Sequence, residues 1–155
     1  MPAPVFNYRR GHRFDLGPAD LWDRLERLDQ FESWWPWLTG FRVEGNGLST
    51  GSVLSGVVNP PVPYRMRIRI ELLECSRPDA IDARVGGDLV GDAHLRFSTE
   101  GQGARVEANW TVEVMQPAMR LASRIARPVL QWGHDRVVEM TLRNLPPEFR
   151  YNEGA

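Results

Sequence analysis

Lysine is missing from this chain of 155 residues: all 19 basic side chains are arginine, set against 20 acidic ones for a net charge of −1. Such balance leaves no global field to gather nucleic acid or an acidic membrane surface. The arginines are scattered along the chain, which fits a bacterial, GC-rich codon bias better than selection for phosphate binding. Cysteine is nearly missing too. Cys75 stands alone, so no intrachain disulfide and no paired-thiol motif exists. It lies at a predicted strand end, Leu72–Ser76, and reads as a small packing residue. No apolar run approaches the roughly 20 residues that cross a bilayer, and no charged-then-apolar leader opens the sequence. A soluble cytoplasmic protein without membrane insertion is the expectation.

Histidine is scarce as well. The three present, His12, His94 and His134, fall on three separate predicted elements. Alternation puts His94 on an outer sheet face, and His134, followed by Asp135 and Arg136, reads as a partly exposed helix residue. The sequence lacks a His-Glu-x-x-His run, a glycine-rich phosphate loop and a serine nucleophile elbow. Neither a metal nor a cofactor is expected.

Aromatic residues are abundant and unevenly placed. Of the six tryptophans, four lie between Trp22 and Trp37. Pro18 suits the first turn of a helix, where a missing N–H costs nothing, and Asp20 and Asp23 place negative charge near its positive end. Leu21, Leu25 and Leu28, with Trp22, form one apolar face at helical spacing, and Pro36 stops a second, shorter helix. The cluster either closes a core or lines the mouth of an apolar cavity. Exposed Trp35 or Trp37 would support a homodimer, so the chain is expected to be a monomer or a homodimer.

The rest reads mostly as strand. Residues 5–16 place Phe6, Tyr8, His12, Phe14 and Leu16 on one face. Phe41–Glu44 leads into a Gly45-Asn-Gly47 turn, and a strand over about 51–58 ends at the stiff Asn59–Pro63 loop. The clearest strand spans Tyr64 to Leu73. Tyr64, Met66, Ile68, Ile70 and Leu72 face one way; Arg65, Arg67, Arg69 and Glu71 face the other, the signature of a half-buried antiparallel strand. That arginine stripe, with Arg96 near it, reads as a solvated face more readily than as an anion site. Ile81–Val85, Leu89–Phe97 and Val106–Val114 continue the alternation. Pro117 then opens a helix to about Leu145 with apolar positions three and four apart, kinked at Pro128. The tail 146–155 is polar and reads as frayed. One domain over 1–155 is expected, of α+β class. A curved antiparallel sheet of about seven strands must wrap the long C-terminal helix, because the short helices cannot cover so wide an apolar face.

The order of elements resembles the START/polyketide-cyclase-like (SRPBCC, helix-grip) superfamily. The matching residues are Leu16-Gly-Pro-Ala-Asp-Leu-Trp22, Trp34-Trp-Pro-Trp37, Gly87-Asp-Leu-Val-Gly91 and the helix end Val138 to Leu145. The resemblance spans nearly the whole chain. It implies a cavity between sheet and final helix, with the Asn59–Pro63 loop at its mouth. The fold hosts lipid carriers, hormone receptors, aromatase/cyclases and ring-hydroxylating oxygenase domains. The oxygenases need a two-histidine, one-carboxylate iron site, which is absent here.

Small residues on the predicted inner faces, Ala83, Gly91, Ala93 and Ala108 on the sheet and Ala122, Ala126 and Gly133 on the helix, either allow close contact or leave a cavity. Tyr64, Met66, Ala93, Trp110, Ile125, Val129 and Val137 are the expected lining. Tyr64 and Trp110 would bring a hydroxyl and an N–H into an apolar space. Parity puts Arg10 and His12 on the inner face of the first strand. They either form a polar patch that orients a ligand carbonyl or carboxylate, or lie in solvent where the strand leaves the core. Binding or transport of a small hydrophobic molecule (a lipid, polyketide or aromatic metabolite) is the leading expectation. The alternative is a metal-free cyclase/dehydratase-type enzyme using His12, Tyr64 and Arg10 as its acid–base set.

Overall fold

Alternation of apolar and charged side chains makes β4 (Met66–Ser76) a strand with a dry face and a wet one: Met66 and Leu72 are buried, while Arg67 and Arg69 are exposed. The computed structural model describes residues 5–61 and 64–153, and of residues 118–126 the backbone only. The chain runs β1 (Val5–Phe14), α1 (Pro18–Leu25), a single 3-10 turn (Leu28–Gln30), α2 (Phe31–Trp34), β2 (Leu38–Glu44), β3 (Val53–Val58), β4, β5 (Ala80–Gly87), β6 (Leu89–Glu100), β7 (Gly103–Val114), α3 (Pro117–Arg143), a second 3-10 turn (Pro147–Phe149) and β8 (Tyr151–Asn152).

The strands form one antiparallel sheet in the order β2-β3-β4-β5-β6-β7-β1-β8. Strands β2 to β7 are neighbours in their sequence order, whereas β1 pairs with β7 from Val5↔Glu113 to Phe14↔Ala104 and β8, arriving after α3, pairs with β1. Glycine permits close approach at the β6–β7 seam. A Cβ at Gly91 would collide with the Thr111 carbonyl of the neighbouring strand, so only glycine fits there. Gly87, at φ +94°, ends β5 in a left-handed turn that the Asp88 carboxylate secures by accepting from the Arg67 N–H at 2.7 Å.

Two apolar clusters hold the layers together. One joins Trp22, Trp34, Trp35 and Phe149 to Leu72, Ile81, Phe97 and Val106; the other joins Phe6, Met66, Val85, Val112 and Val114 to Leu130 of α3. Trp22, 1% exposed, meets Phe97 edge-on at 5.3 Å, which seats α1 on the sheet. Trp35 is 8% exposed, so it is not the surface residue anticipated for a dimer. Its ring lies on Phe31 at 4.7 Å, and its indole N–H donates to the Thr141 carbonyl at 2.9 Å. That carbonyl lies in the last turn of α3, where helical partners run out. Trp37, stacked on Trp35 at 5.6 Å, is half-buried.

The tail departs from expectation. Residues 146–153 read as polar and frayed, yet Phe149 has no exposed surface, packs on Trp34 at 5.1 Å and turns the chain through Arg150 (φ +49°) into an eighth strand paired with Arg13 and Phe14. One large ring at the right place outweighs the polarity of its neighbours, because burying it contributes about 1.5–3 kcal/mol. Pro128 does lie inside α3. It leaves the Arg124 carbonyl without its usual donor.

Two substitutions test this account. Trp35→Phe keeps the ring but leaves the Thr141 carbonyl unpaired, and should lower the urea-derived unfolding free energy by about 1–2 kcal/mol. Trp22→Ala should cost about 3–5 kcal/mol through the cavity it opens. An unchanged midpoint in Trp35→Phe would mean that water replaces the indole at no cost.

Candidate functional site

Between the sheet and α3 lies a cavity of about 520 Å³. The sheet supplies its floor through the inward residues of every strand from β3 to β7 and of β1, and α3 supplies its roof through Gly133, His134, Val137, Val138, Thr141 and Leu142. Trp35 and Trp37 close the end nearest α2. The small side chains of Ala83, Ala93 and Ala108, with Gly133 opposite, face this space. Here small residues on both faces leave room instead of drawing the layers together.

Of the expected lining residues, Tyr64, Met66, Ala93, Trp110 and Val137 border the cavity. Ile125 lies outside the described side chains, as do Ala122 and Ala126; residues 62 and 63 of the proline-rich loop lie outside the described residues altogether. Val129 does not border the cavity. It is 47% exposed, beside Trp132 at 52%. The inward stripe of α3 runs through Leu130, Gly133, His134, Val137 and Thr141, and Val129 sits one residue, about 100° of helical turn, off that stripe. His134, read as a partly exposed helix residue, has a side chain 11% exposed and borders the cavity.

The cavity has one polar wall, built mainly from β1 at its pairing with β7. Tyr8 Oη stands 2.7 Å from His12 Nε2, and His12 Nδ1 stands 3.3 Å from Tyr151 Oη, so β8 completes a chain of three groups begun on β1. Tyr8 also stacks on Trp110 at 4.2 Å between ring centres. The Trp110 indole N–H donates to His134 Nε2 at 3.1 Å, which leaves the His134 ring proton on Nδ1, facing the Asp135 carboxylate at 3.0 Å. Phe6 stacks on the same imidazole at 4.9 Å. The rings of Phe6, His134, Trp110, Tyr8, His12 and Tyr151 thus touch in an unbroken strip.

Burial sets the protonation of this wall. His12 is held below the usual histidine value of 6.5, first by desolvation and then by the positive charge of Arg10, with Glu107 opposing. Burial raises Tyr8 and Tyr151 above the usual tyrosine range, against the pull of Arg10. At neutral pH the chain Tyr8–His12–Tyr151 is therefore uncharged. It holds three protons, two hydroxyl and one imidazole, for two internal hydrogen bonds. Either imidazole tautomer leaves one hydroxyl proton over.

Arg10 parts company with His12. Strand register sets Arg10 opposite Ala108, a buried residue of the cavity floor, so its Cβ has inner-face parity, yet the residue is exposed. An inner-face position open to solvent means the roof does not cover this part of the sheet. Arg10 therefore stands at the rim of the cavity, on β1 between Tyr8 and His12, both of which border it. Both open readings of the pair hold in part: His12 borders the cavity and Arg10 is in solvent. At the other polar positions, Tyr64 Oη and Trp37 Nε1 are buried with no hydrogen-bond partner among the described residues, and burial raises the Tyr64 hydroxyl above its usual range.

Among the described residues, the outer face carries no comparable site. His94 bonds Asp82 at 2.6 Å and Arg96 bonds the same carboxylate at 2.7 Å, so Arg96 belongs to that surface network and not to the β4 stripe. Among the described residues, no three histidine, cysteine or acidic side chains come together to hold a metal ion. Nor is any described helix long and apolar enough to cross a membrane.

The fold is a helix-grip fold: a curved antiparallel sheet around a long C-terminal helix, with short helices after the first strand. No protein-family model and no curated protein sequence matches the chain significantly. Solved structures do. TTHA0849 from Thermus thermophilus superposes with a TM-score of 0.71 at 17% identity, over 94% of this chain and 97% of that one. The di-domain ARO/CYC BexL from the BE-7585A biosynthetic pathway gives 0.67 at 13% identity, over 96% of this chain and 51% of that one. Norcoclaurine synthase from Thalictrum flavum, in complex with dopamine and hydroxybenzaldehyde, gives 0.54 at 11% identity, over 92% and 89%. Identities this low carry the fold alone.

The depressed His12 fixes a sign for pH. Because its folded value lies below its unfolded 6.5, the unfolded chain binds the extra proton first. Stability contributed by neutral His12 is fully present above about pH 6.5 and is lost as pH falls through the folded value. Wild type should therefore lose more stability than His12→Gln between pH 7.5 and about pH 5 in paired urea titrations. Parallel curves for the two would show that His12 keeps its solution value.

Proposed function

We propose that the chain binds or carries a small hydrophobic molecule, of lipid, polyketide or aromatic type, in the cavity between the sheet and α3. The observation that carries this reading is the cavity itself: about 520 Å³ walled by apolar side chains, with hydrogen-bonding groups gathered on one side. That volume and that mix of walls match what drug-sized ligands occupy. Tyr64, Met66, Ala93, Trp110 and Val137 are its contacts, and the aromatic strip on β1 offers a flat ring a surface to stack on. Proteins of similar fold include one held in complex with two aromatic molecules and an ARO/CYC pair, which supports the ligand class without naming a ligand. The chain acts on this reading as a soluble cytoplasmic protein, monomeric or homodimeric.

A second reading has an observation of its own. Tyr8, His12 and Tyr151 form a neutral hydrogen-bonded chain that can give a proton at one end and take one at the other. A cyclase or dehydratase working on a bound carbonyl compound needs such a pair. Of the expected acid–base set, His12 fits this role, while Tyr64 stands apart from the chain and Arg10 contributes charge rather than protons.

Filling the space tests the binding reading. Ala93→Phe and Ala108→Leu should reduce binding of a fluorescent apolar probe about tenfold or more while leaving thermal stability close to wild type, because the added atoms enter open volume. In a filled core the same changes would overpack at about 1–3 kcal/mol. Strong destabilisation, with no probe bound by the wild type, would end the carrier reading.

A further inference from the structure

The polar wall is lopsided in what it offers a guest. The Trp110 N–H is spent on His134, and the Asp135 carboxylate is engaged by His134 and by the Gln131 amide at 2.9 Å. Glu107 is paired with Arg105, and both belong to the outer face, where the Arg105 guanidinium lies over Gly11. Glu153 is exposed beyond Tyr151. What is left facing the rim is the spare hydroxyl proton of the Tyr8–His12–Tyr151 chain and the guanidinium of Arg10, which has neither an ion pair nor a hydrogen bond among the described residues. Among the described residues, one hydroxyl donor and one free cation make a wall that gives hydrogen bonds and positive charge and asks for acceptor oxygens, with the exposed Glu153 carboxylate at its Tyr151 end as the opposing charge.

Resting on the carrier reading above, we propose that the ligand is a hydrophobic acid: an apolar body in the cavity, with its carboxylate at the β1 rim between Arg10 and the spare hydroxyl of the Tyr8–His12–Tyr151 chain. A carboxylate has two oxygens, one for each donor, and the planar guanidinium suits it. An alcohol or ester of the same body would use the hydroxyl donor alone. A cationic head would meet Arg10 as a like charge. The unprotonated state of His12 serves the same end, since the imidazole then passes the free proton to whichever tyrosine meets the ligand.

The test uses the full chain and one matched pair of probes: a dansyl-labelled undecanoic acid and its methyl ester, titrated at pH 8 by fluorescence. The acid should bind about tenfold more tightly than the ester, a difference suited to a charge-assisted contact at a partly wet rim. Arg10→Gln should remove that preference by weakening the acid about tenfold and leaving the ester within about twofold, and Arg10→Lys should restore most of it. Arg10 is exposed, so neither variant disturbs the core. Equal affinity for acid and ester in the wild type, or equal loss of both in Arg10→Gln, overturns the acid proposal and leaves the carrier reading standing. Failure of both probes to bind the wild type overturns the two together.

Discussion

One hydrogen bond fixes where the roof of this protein ends. The Trp35 indole N–H reaches the Thr141 carbonyl in the last turn of α3, a group the helix itself no longer satisfies. It ties that end of the helix to the short helices packed under it, while Leu130 anchors the helix to the second apolar cluster about three turns earlier. Between the two anchors, α3 and the sheet present glycine and alanine to each other. A rod held at two points over a curved floor cannot sag into the gap, and side chains that would fill it are missing. The open volume is thus a product of the anchors as much as of the small residues.

The sheet is organised for the same result. Gly91 lets β6 and β7 approach where any Cβ would strike the Thr111 carbonyl, and β1, the first strand in sequence, closes against β7, the last of the hairpin series. The consequence is that β1 stands at the rim. From Val5 to His12, β1 has a strand partner on one side only among the described residues, since β8 reaches only Arg13 and Phe14. An edge strand with inward polar groups resists pairing with another chain, and here the same groups form the one hydrophilic wall of an otherwise apolar chamber.

Much of this is legible in the sequence, and the failures have physical causes. Alternation in Tyr64–Leu73 and Val106–Val114 marks strands because one face is dry and the other wet, and that contrast survives into the structure as buried Met66 and Leu72 beside exposed Arg67 and Arg69. The phase of α3 is harder. Val129 and Trp132 compete with Leu130, Gly133 and Val137 for the apolar side, so hydrophobicity alone does not pick the inward stripe, nor does it place His134 at the cavity. Its spacing, four residues after Leu130 and three before Val137, is the available signal. Alternation likewise cannot separate Arg10 from His12, because parity gives the face of a strand and not the extent of the cover above it. The tail misleads for a simpler reason: composition averages over residues, whereas Phe149 alone decides whether Tyr151 reaches His12.

Trp110 gives the chamber a second property. Its ring lies against Tyr8 at 4.2 Å, its N–H is held by an imidazole, and it borders the open volume directly. A fluorophore placed so close to a phenol and a histidine emits according to which of them contacts it and how dry its surroundings are. Any guest that enters must alter that environment. The protein therefore carries its own optical gauge of occupancy, in a wall where no dye need be attached.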